Sequence, residues 1–459
     1  MEYDRNNHIV RKALLIFFLT CVIVVLLGLG ALAGYRYLMT RQAGLTEADM
    51  TQEPVSGTAA ETAGSFGEAV TDTASASNSG AERDAVGDPG DEQDTEQSPD
   101  GAEEPADETG EDAEPDPFAG VEEDFFTRRM ETAEPDTVTM AFAGDILFDA
   151  SYSVQNRILA ADGDVSQAVG DTLLERMRAV DIMMVNNEFP YTDSGSPQAE
   201  KTFTFHAMPR AVRQLKEMGV DLAGIANNHT FDYGERGLLD TLDTLDRAGV
   251  GRVGAGRNIE EASHPMVYLA GGMRIAVIAA TQLERYANPN TRGATAELPG
   301  VFRCMDDTRL CEVIRKAKEE NDFVVVFIHW GNENEVPLHW SQTNQGPDIT
   351  AAGADLVIGA HSHCLQPLGY VNDVPIVYSL GNFLFNSKTL DTCLIECDIK
   401  RLPEGGAHLT SLRFLPCIQS GCKVRFAEDG DKTRILDYMR SISPGVTIAD
   451  DGEFLRTAE

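Results

Sequence analysis

From residue 137 onward the chain alternates short apolar runs with stretches whose apolar residues recur every three or four positions. The runs at 138–143, 182–185, 222–225, 274–280, 323–328, 355–358 and 375–379 have strand length and end in polar or glycine-containing turns. Between them the spacing predicts helices over 165–179, 209–218, 234–248, 305–319 and 342–352. Such alternation indicates an α/β domain. Two later strands, 392–399 and 409–415, succeed one another without a helix and predict a sheet finished by antiparallel strands.

The chain opens on a different pattern. Residues 13–35 carry no charge, enough at helical rise to span a bilayer, and predict a transmembrane anchor. Arg11 and Lys12 precede the run and the sequence beyond it is acidic, so residues 1–12 are expected in the cytoplasm and the remainder outside, as a single-pass protein of the cell membrane. A cleaved signal peptide is the rival reading, because Ala31-Leu32-Ala33 resembles a cleavage site. The apolar run exceeds the usual h-region of about 7 to 15 residues, which favours retention.

Charge divides the chain beyond the anchor. Residues 44–136 hold 28 acidic groups against three arginines, whereas the last 323 residues carry 15 of the 37 net negative charges. Residues 36–134 therefore read as a disordered acidic linker, too poor in apolar residues to offset ordering entropy. Such a spacer has a span of roughly 50 to 60 Å, stretched further by its own charge. Phe125 and Phe126 are where docking to the domain is expected to begin. The globular domain is expected over 135–459, with its core at 138–388. Its acidity argues against a nucleic-acid partner, and against tight binding of a polyanion unless distant basic residues fold into a patch. Cys304 with Cys311 and Cys417 with Cys422 are open as disulfide pairs, and no CxxC spacing suggests a cysteine zinc site.

Polar clusters stand just where the apolar runs end, and ligands of α/β folds bind outside the carboxyl ends of strands. The first cluster is Ala143-Gly144-Asp145. The second, Asn186-Asn187-Glu188, can present Asn186 and Glu188 on one side of extended chain. The third, Asn227-Asn228-His229-Thr230-Phe231-Asp232, places a neutral oxygen ligand, Asn228, beside a histidine that Asp232 can orient. The fourth is His329-Trp330-Gly331 with Glu333, and the fifth is Gly359-Ala360-His361-Ser362-His363. Asp145, Glu188, Asn228, His329, His361 and His363 make a mixed nitrogen and oxygen set suited to Mn, Zn or Fe. His229 and Asp232 read as the catalytic pair. Asn186, Asn227, His206, Glu333 and Asn382 are candidates for contacts to substrate or to the ligating side chains.

Together, Asn186-x-Glu188, Ala226-Asn227-Asn228-His229, His329-Trp330-Gly331-x-Glu333, Gly359-Ala360-His361-Ser362-His363 and Tyr378-Ser379-Leu380-Gly381-Asn382-Phe383 resemble the capsule-biosynthesis CapA family of poly-γ-glutamate synthesis. More broadly they resemble the calcineurin-like metallophosphatases, and the stretch from Asn228 to Gly234 resembles extracellular 5′-nucleotidases. The resemblance implies a metallophosphatase-like α/β sandwich, with the six ligands and the His229–Asp232 pair in those roles. In two respects the chain departs from ordinary phosphatases: Leu147 stands where a histidine would come after the first aspartate, and the second carboxylate is Glu188 in an Asn-x-Glu setting rather than an aspartate, leaving one ion or two open. Three readings are open for the whole chain. It is a capsule assembly factor working with an anionic envelope polymer and a polymer synthase, a broad phosphoesterase of the nucleotidase kind, or a polymer-binding module without chemistry.

Overall fold

A computed structural model describes residues 116–199, 201–283 and 292–457. The expected anchor at 13–35 and most of the acidic linker lie outside the described residues. Among the described residues no helix is long and apolar enough to cross a membrane.

Two sheets face each other. In one, the strands run in the order Thr127–Arg129, Met266–Ala270, Met273–Thr281, Phe323–His329, Leu356–Ala360, Val374–Val377, Leu368–Val371. In the other the order is Lys423–Phe426, Ala407–Ser420, Leu390–Arg401, Thr137–Ile146, Ile182–Asn187, Leu222–Gly224, Gly251–Val253, with Asn382–Leu384 paired to Thr137–Ile146. Side-chain alternation along each central strand explains the layering. Val138, Met140 and Phe142 meet Ile275, Val277, Phe323, Val325 and Phe327 between the sheets. Ala141, Ala143 and Val185 turn outward beneath Leu238, Leu242 and Leu245 of the helix Gly234–Ala248. On the far side Ile278, Val324, Val326 and Ile328 are covered by Leu310 and Ile314 of Thr308–Glu320 and Ile349 of Trp340–Ala352. Strands buried on both faces read as unbroken apolar runs, which is why they were visible in the sequence.

The expected α/β sandwich is thus present, finished by the antiparallel pair Leu390–Arg401 and Ala407–Ser420. Helix 165–179 is a correction: a 3-10 turn, Val165–Gln167, is separated from a helix, Asp171–Ala179. Gly170 breaks it by donating its N–H to the Val424 carbonyl, 2.8 Å, at a point where a Cβ would stand 3.0 Å from the Arg425 Cβ. The linker boundary also moves. Thr127–Arg129 pairs in parallel with Met266–Ala270 and Phe118 is buried, so 117–134 belongs with the domain. Arg129 donates to the Phe118 carbonyl, and Arg252 lies 4.5 Å from the Phe125 ring. The two open disulfide pairs do not form: Cys304 is not bonded to Cys311 nor Cys417 to Cys422, and all four side chains are buried.

Arg252 is 2% exposed and pairs with Asp246 and Glu261, joining the helix Gly234–Ala248 to Ile259–Ala262. Arg252→Ala leaves Asp246 without its cation, and Glu261 with Arg257 alone, and is expected to lower stability by about 3 kcal/mol. Arg434→Ala, breaking a half-exposed pair with Asp391, is expected to cost less than about 1 kcal/mol. Urea unfolding of the two variants side by side checks the difference.

Candidate metal centre

Each expected ligand sits where a strand stops. Asp145 lies at the end of Thr137–Ile146, Glu188 directly after Ile182–Asn187, and Asn228 four residues beyond Leu222–Gly224. From the opposite sheet, His329 ends Phe323–His329, and His361 and His363 come just after Leu356–Ala360. The centre is therefore assembled across the seam between the sheets. A register shift between Ala143 and Asp145 reorients the strand end, as bulges beside functional sites do. Gly144 occupies that shift, where a Cβ would stand 1.9 Å from the Gly381 carbonyl oxygen. Only glycine lets that turn close over Asp145, whose N–H donates to the same oxygen at 3.1 Å.

The six side chains resolve into two overlapping sets. Ligand atoms of Glu188, His329 and His361 lie within 4.8 Å of one another, and so do those of Asp145, Glu188 and His363. Glu188 belongs to both. Asn228 joins the first set, its Oδ1 2.8 Å from His329 Nε2. Glu188 Oε1 and His361 Nδ1 are buried with no hydrogen-bond partner, and His329 Nε2, 3.6 Å from Glu188 Oε1, is beyond hydrogen-bond reach. Buried polar atoms are ordinarily paired. Unpartnered oxygen and nitrogen atoms from two strand ends, with the His329 imidazole from a third, fit a divalent cation, so the residues present suit the metal that the resemblance implies. His361 and His363 hold φ of 97° and 55°, backbone strain that persists where surrounding structure over-determines it.

Electrostatics shows what the ligands do without an ion. Burial pushes the Glu188 carboxyl well above its ordinary value, reinforced by Asp145. Burial opposes a charged His363, yet Glu188 and Asp145 outweigh it and push the imidazole up to about 10. Burial, with Glu333 opposing, brings His361 down to about 4. His329 falls well below the usual imidazole range through burial and then the neighbouring His361 and His363. The carboxylates want positive charge, while two imidazoles stay neutral and keep lone pairs to offer.

The two residues expected to act as a pair are in contact: His229 Nδ1 lies 2.7 Å from Asp232 Oδ2. Burial lowers the His229 pKa, with Asp232 opposing. Asn186 donates to Asp145 Oδ1 at 2.6 Å, and Asn227 donates to the Asn187 carbonyl at 2.9 Å. Asn382 Oδ1 meets His363 Nδ1 at 2.8 Å. Glu333 is half-buried and its charge acts on His229, His361 and His363. His206 does not join them: its Nδ1 meets the Thr192 carbonyl at 3.2 Å and its ring packs on Tyr233. Leu147 is fully buried among apolar side chains, so that position supplies no ligand.

Sequence reasoning missed Lys201 and Phe205. Lys201 Nζ donates to Asp232 Oδ1 and, at 2.6 Å, to the Asn228 carbonyl, with its side chain 7% exposed. Phe205 stacks on the His229 ring at 4.1 Å, and its N–H donates to Asp232 Oδ2 at 2.7 Å. The only signal was a lysine and alternating phenylalanines in Lys201-Thr202-Phe203-Thr204-Phe205, ordinary in any strand.

The model of the bacterial capsule synthesis protein PGA_cap matches residues 139–387. The PGA biosynthesis protein CapA of Bacillus subtilis is 30% identical over 294 residues, 62% of this chain and 74% of that protein. The capsule biosynthesis protein CapA of Bacillus anthracis is 32% identical over 210 residues, 44% of this chain and half of that protein's length. Among solved structures, the NAD nucleotidase of Haemophilus influenzae matches with a TM-score of 0.33 and 12% identity over 69% of this chain and 57% of that one. That likeness is too low to argue from.

Lys201→Met removes the cation from a buried carboxylate and a donor from the Asn228 carbonyl. We expect it to lower stability by about 2–3 kcal/mol, read as a reduced urea midpoint at unchanged slope.

Proposed function

We propose that this chain, which belongs to the bacterial capsule synthesis family PGA_cap, is a membrane-anchored extracytoplasmic protein of poly-γ-glutamate capsule biosynthesis carrying a metal-dependent hydrolase site of metallophosphatase type. Family membership supports the biological role. The observation that carries the chemistry is the pair of ligand sets sharing Glu188, a donor arrangement that packing alone does not require. The apolar run 13–35 supports a single-pass anchor with the domain outside the cell. On that face of the membrane the protein would meet an anionic envelope polymer and the synthase that makes it.

Mn, Zn and Fe suit the mixed donors. Glu188, His329, His361 and Asn228 would hold one ion, and Asp145, Glu188 and His363 would hold a second. When bound, a divalent ion polarises the ester oxygen and lowers the pKa of an attacking water. The protein's own residues do the rest. Asp232 holds His229 through Nδ1 and leaves Nε2 as the nitrogen that exchanges a proton with the leaving oxygen or steadies charge on it. Phe205 covers one face of that imidazole and keeps water from it. Lys201 fixes Asp232 from the other side. A second reading, a broad phosphoesterase of the nucleotidase kind, is favoured by the closeness of His229 and Asp232 to the ligand set. A polymer-binding module without turnover is favoured by Leu147.

Two measurements separate these readings. Elemental analysis of the full-length protein is expected to find a transition metal, and Glu188→Gln, which weakens both sets, is expected to lose most of it while keeping the native circular dichroism spectrum. His229→Ala is expected to keep the metal and lose at least about 100-fold in turnover in a screen of phosphate esters, nucleotides and poly-γ-glutamate with added Mn or Zn. Unchanged hydrolysis by that variant would remove His229 from the mechanism. A metal-free protein inactive with every added ion would leave the binding module as the better account.

A further inference from the structure

Beside the ligand sets lies a cavity of about 640 Å³, its open mouth included, walled by Tyr152, Phe203, Phe205 and Phe385 and floored by His363 and Asn382. The rings form a connected wall. Phe205, stacked on His229, meets Tyr152 and Phe385 edge-on at 5.4 and 5.7 Å. Phe385 in turn stands 5.1 Å from His363. Phe205 and Phe385 are buried, whereas Tyr152 and Phe203 are half-buried and present ring surface to an occupant.

Charge narrows the choice of occupant. The chain has a net charge of −37, yet among the described residues no aspartate or glutamate lines the cavity, and the rim carries Lys388 with Asn334 and Asn386. A strand of polyglutamate bears a carboxylate on every residue and would call for several cations at once. Flat apolar walls suit a ring.

We infer that this cavity receives the organic half of the substrate, and that the substrate is a phosphate ester of a flat, ring-bearing alcohol. The inference rests on the hydrolase reading for the identity of the neighbouring centre. The phosphoryl group lies toward His363 and the ligand sets, and the ring lies against Tyr152 and Phe203.

Binding of phenylphosphonate and of ethylphosphonate to the metal-loaded full-length protein in detergent tests it by calorimetry, without requiring turnover. Phenylphosphonate is expected to bind about 5- to 10-fold more tightly. Tyr152→Leu and Phe203→Leu, which keep apolar bulk and remove the flat face, are each expected to bring that ratio down to about 2 or less, with metal content and melting temperature near those of the unaltered protein. Equal affinities, no binding of either probe, or a ratio that both variants leave unchanged would overturn the inference. Hydrolysis of p-nitrophenyl phosphate by the same samples judges the hydrolase reading separately. Ring preference without turnover keeps the cavity's role and overturns the hydrolase reading; turnover without ring preference does the reverse.

Discussion

Asp145 and Glu188 are wholly buried, within ligand distance of three imidazoles, and this end of the domain is arranged around their charge. A buried carboxylate costs several kcal/mol unless it is paired and hydrogen-bonded. Asn186 supplies a donor to Asp145, and His363 supplies a proton when no cation is there. Glu188 Oε1 still has no partner. A fold that needed only packing would fill these positions as it fills Leu147, with an apolar side chain. A cation offsets the cost at both carboxylates together, because Glu188 faces both sets.

The scaffold that holds this charge is rigid for identifiable reasons. Both sheets are covered on both faces, so their strand ends cannot move apart without opening a packed layer. The loop carrying His361 and His363 is held in left-handed backbone by its neighbours. Trp330 is fully buried beside His329 and donates to the Tyr378 carbonyl at 2.9 Å. Gly359 passes between those two groups: a Cβ there would stand 2.1 Å from the Tyr378 oxygen and 2.5 Å from the Trp330 indole nitrogen. The imidazoles are thus aimed by contacts that themselves leave no slack.

Two halves of the site have different character. On the side of Asn228 and His329 the surroundings are polar and closely hydrogen-bonded, through Asn227, Asn186 and Asn187. On the side of His363 they are aromatic, with Phe385 and then Phe205, Tyr152 and Phe203. His229 stands between, its Nδ1 turned to Asp232 and its ring face to Phe205. Lys201 and the Phe205 N–H both converge on Asp232, so the carboxylate that orients His229 is itself held from two directions.

Much of this was legible in the chain by itself, for physical reasons that differ by residue. Helix Gly234–Ala248 was readable to the residue because its leucines recur at helical spacing and Gly249 ends it in left-handed backbone. The central strands were readable because burial on both faces leaves continuous apolar runs, and the candidate ligands could be named because polar side chains at strand ends stand out against such runs. Leu147 was legible as a departure, since identity at a position needs no structure. Tertiary contact decided what depends on distance. The break at Gly170 comes from Val424, the docking of 117–134 from Met266–Ala270 and Arg252, and the grip on Asp232 from Lys201, 31 positions away. That Glu188 lies in both candidate sets was likewise invisible: sequence order says which side chains can bind an ion, but only the meeting of two sheets says which of them lie together.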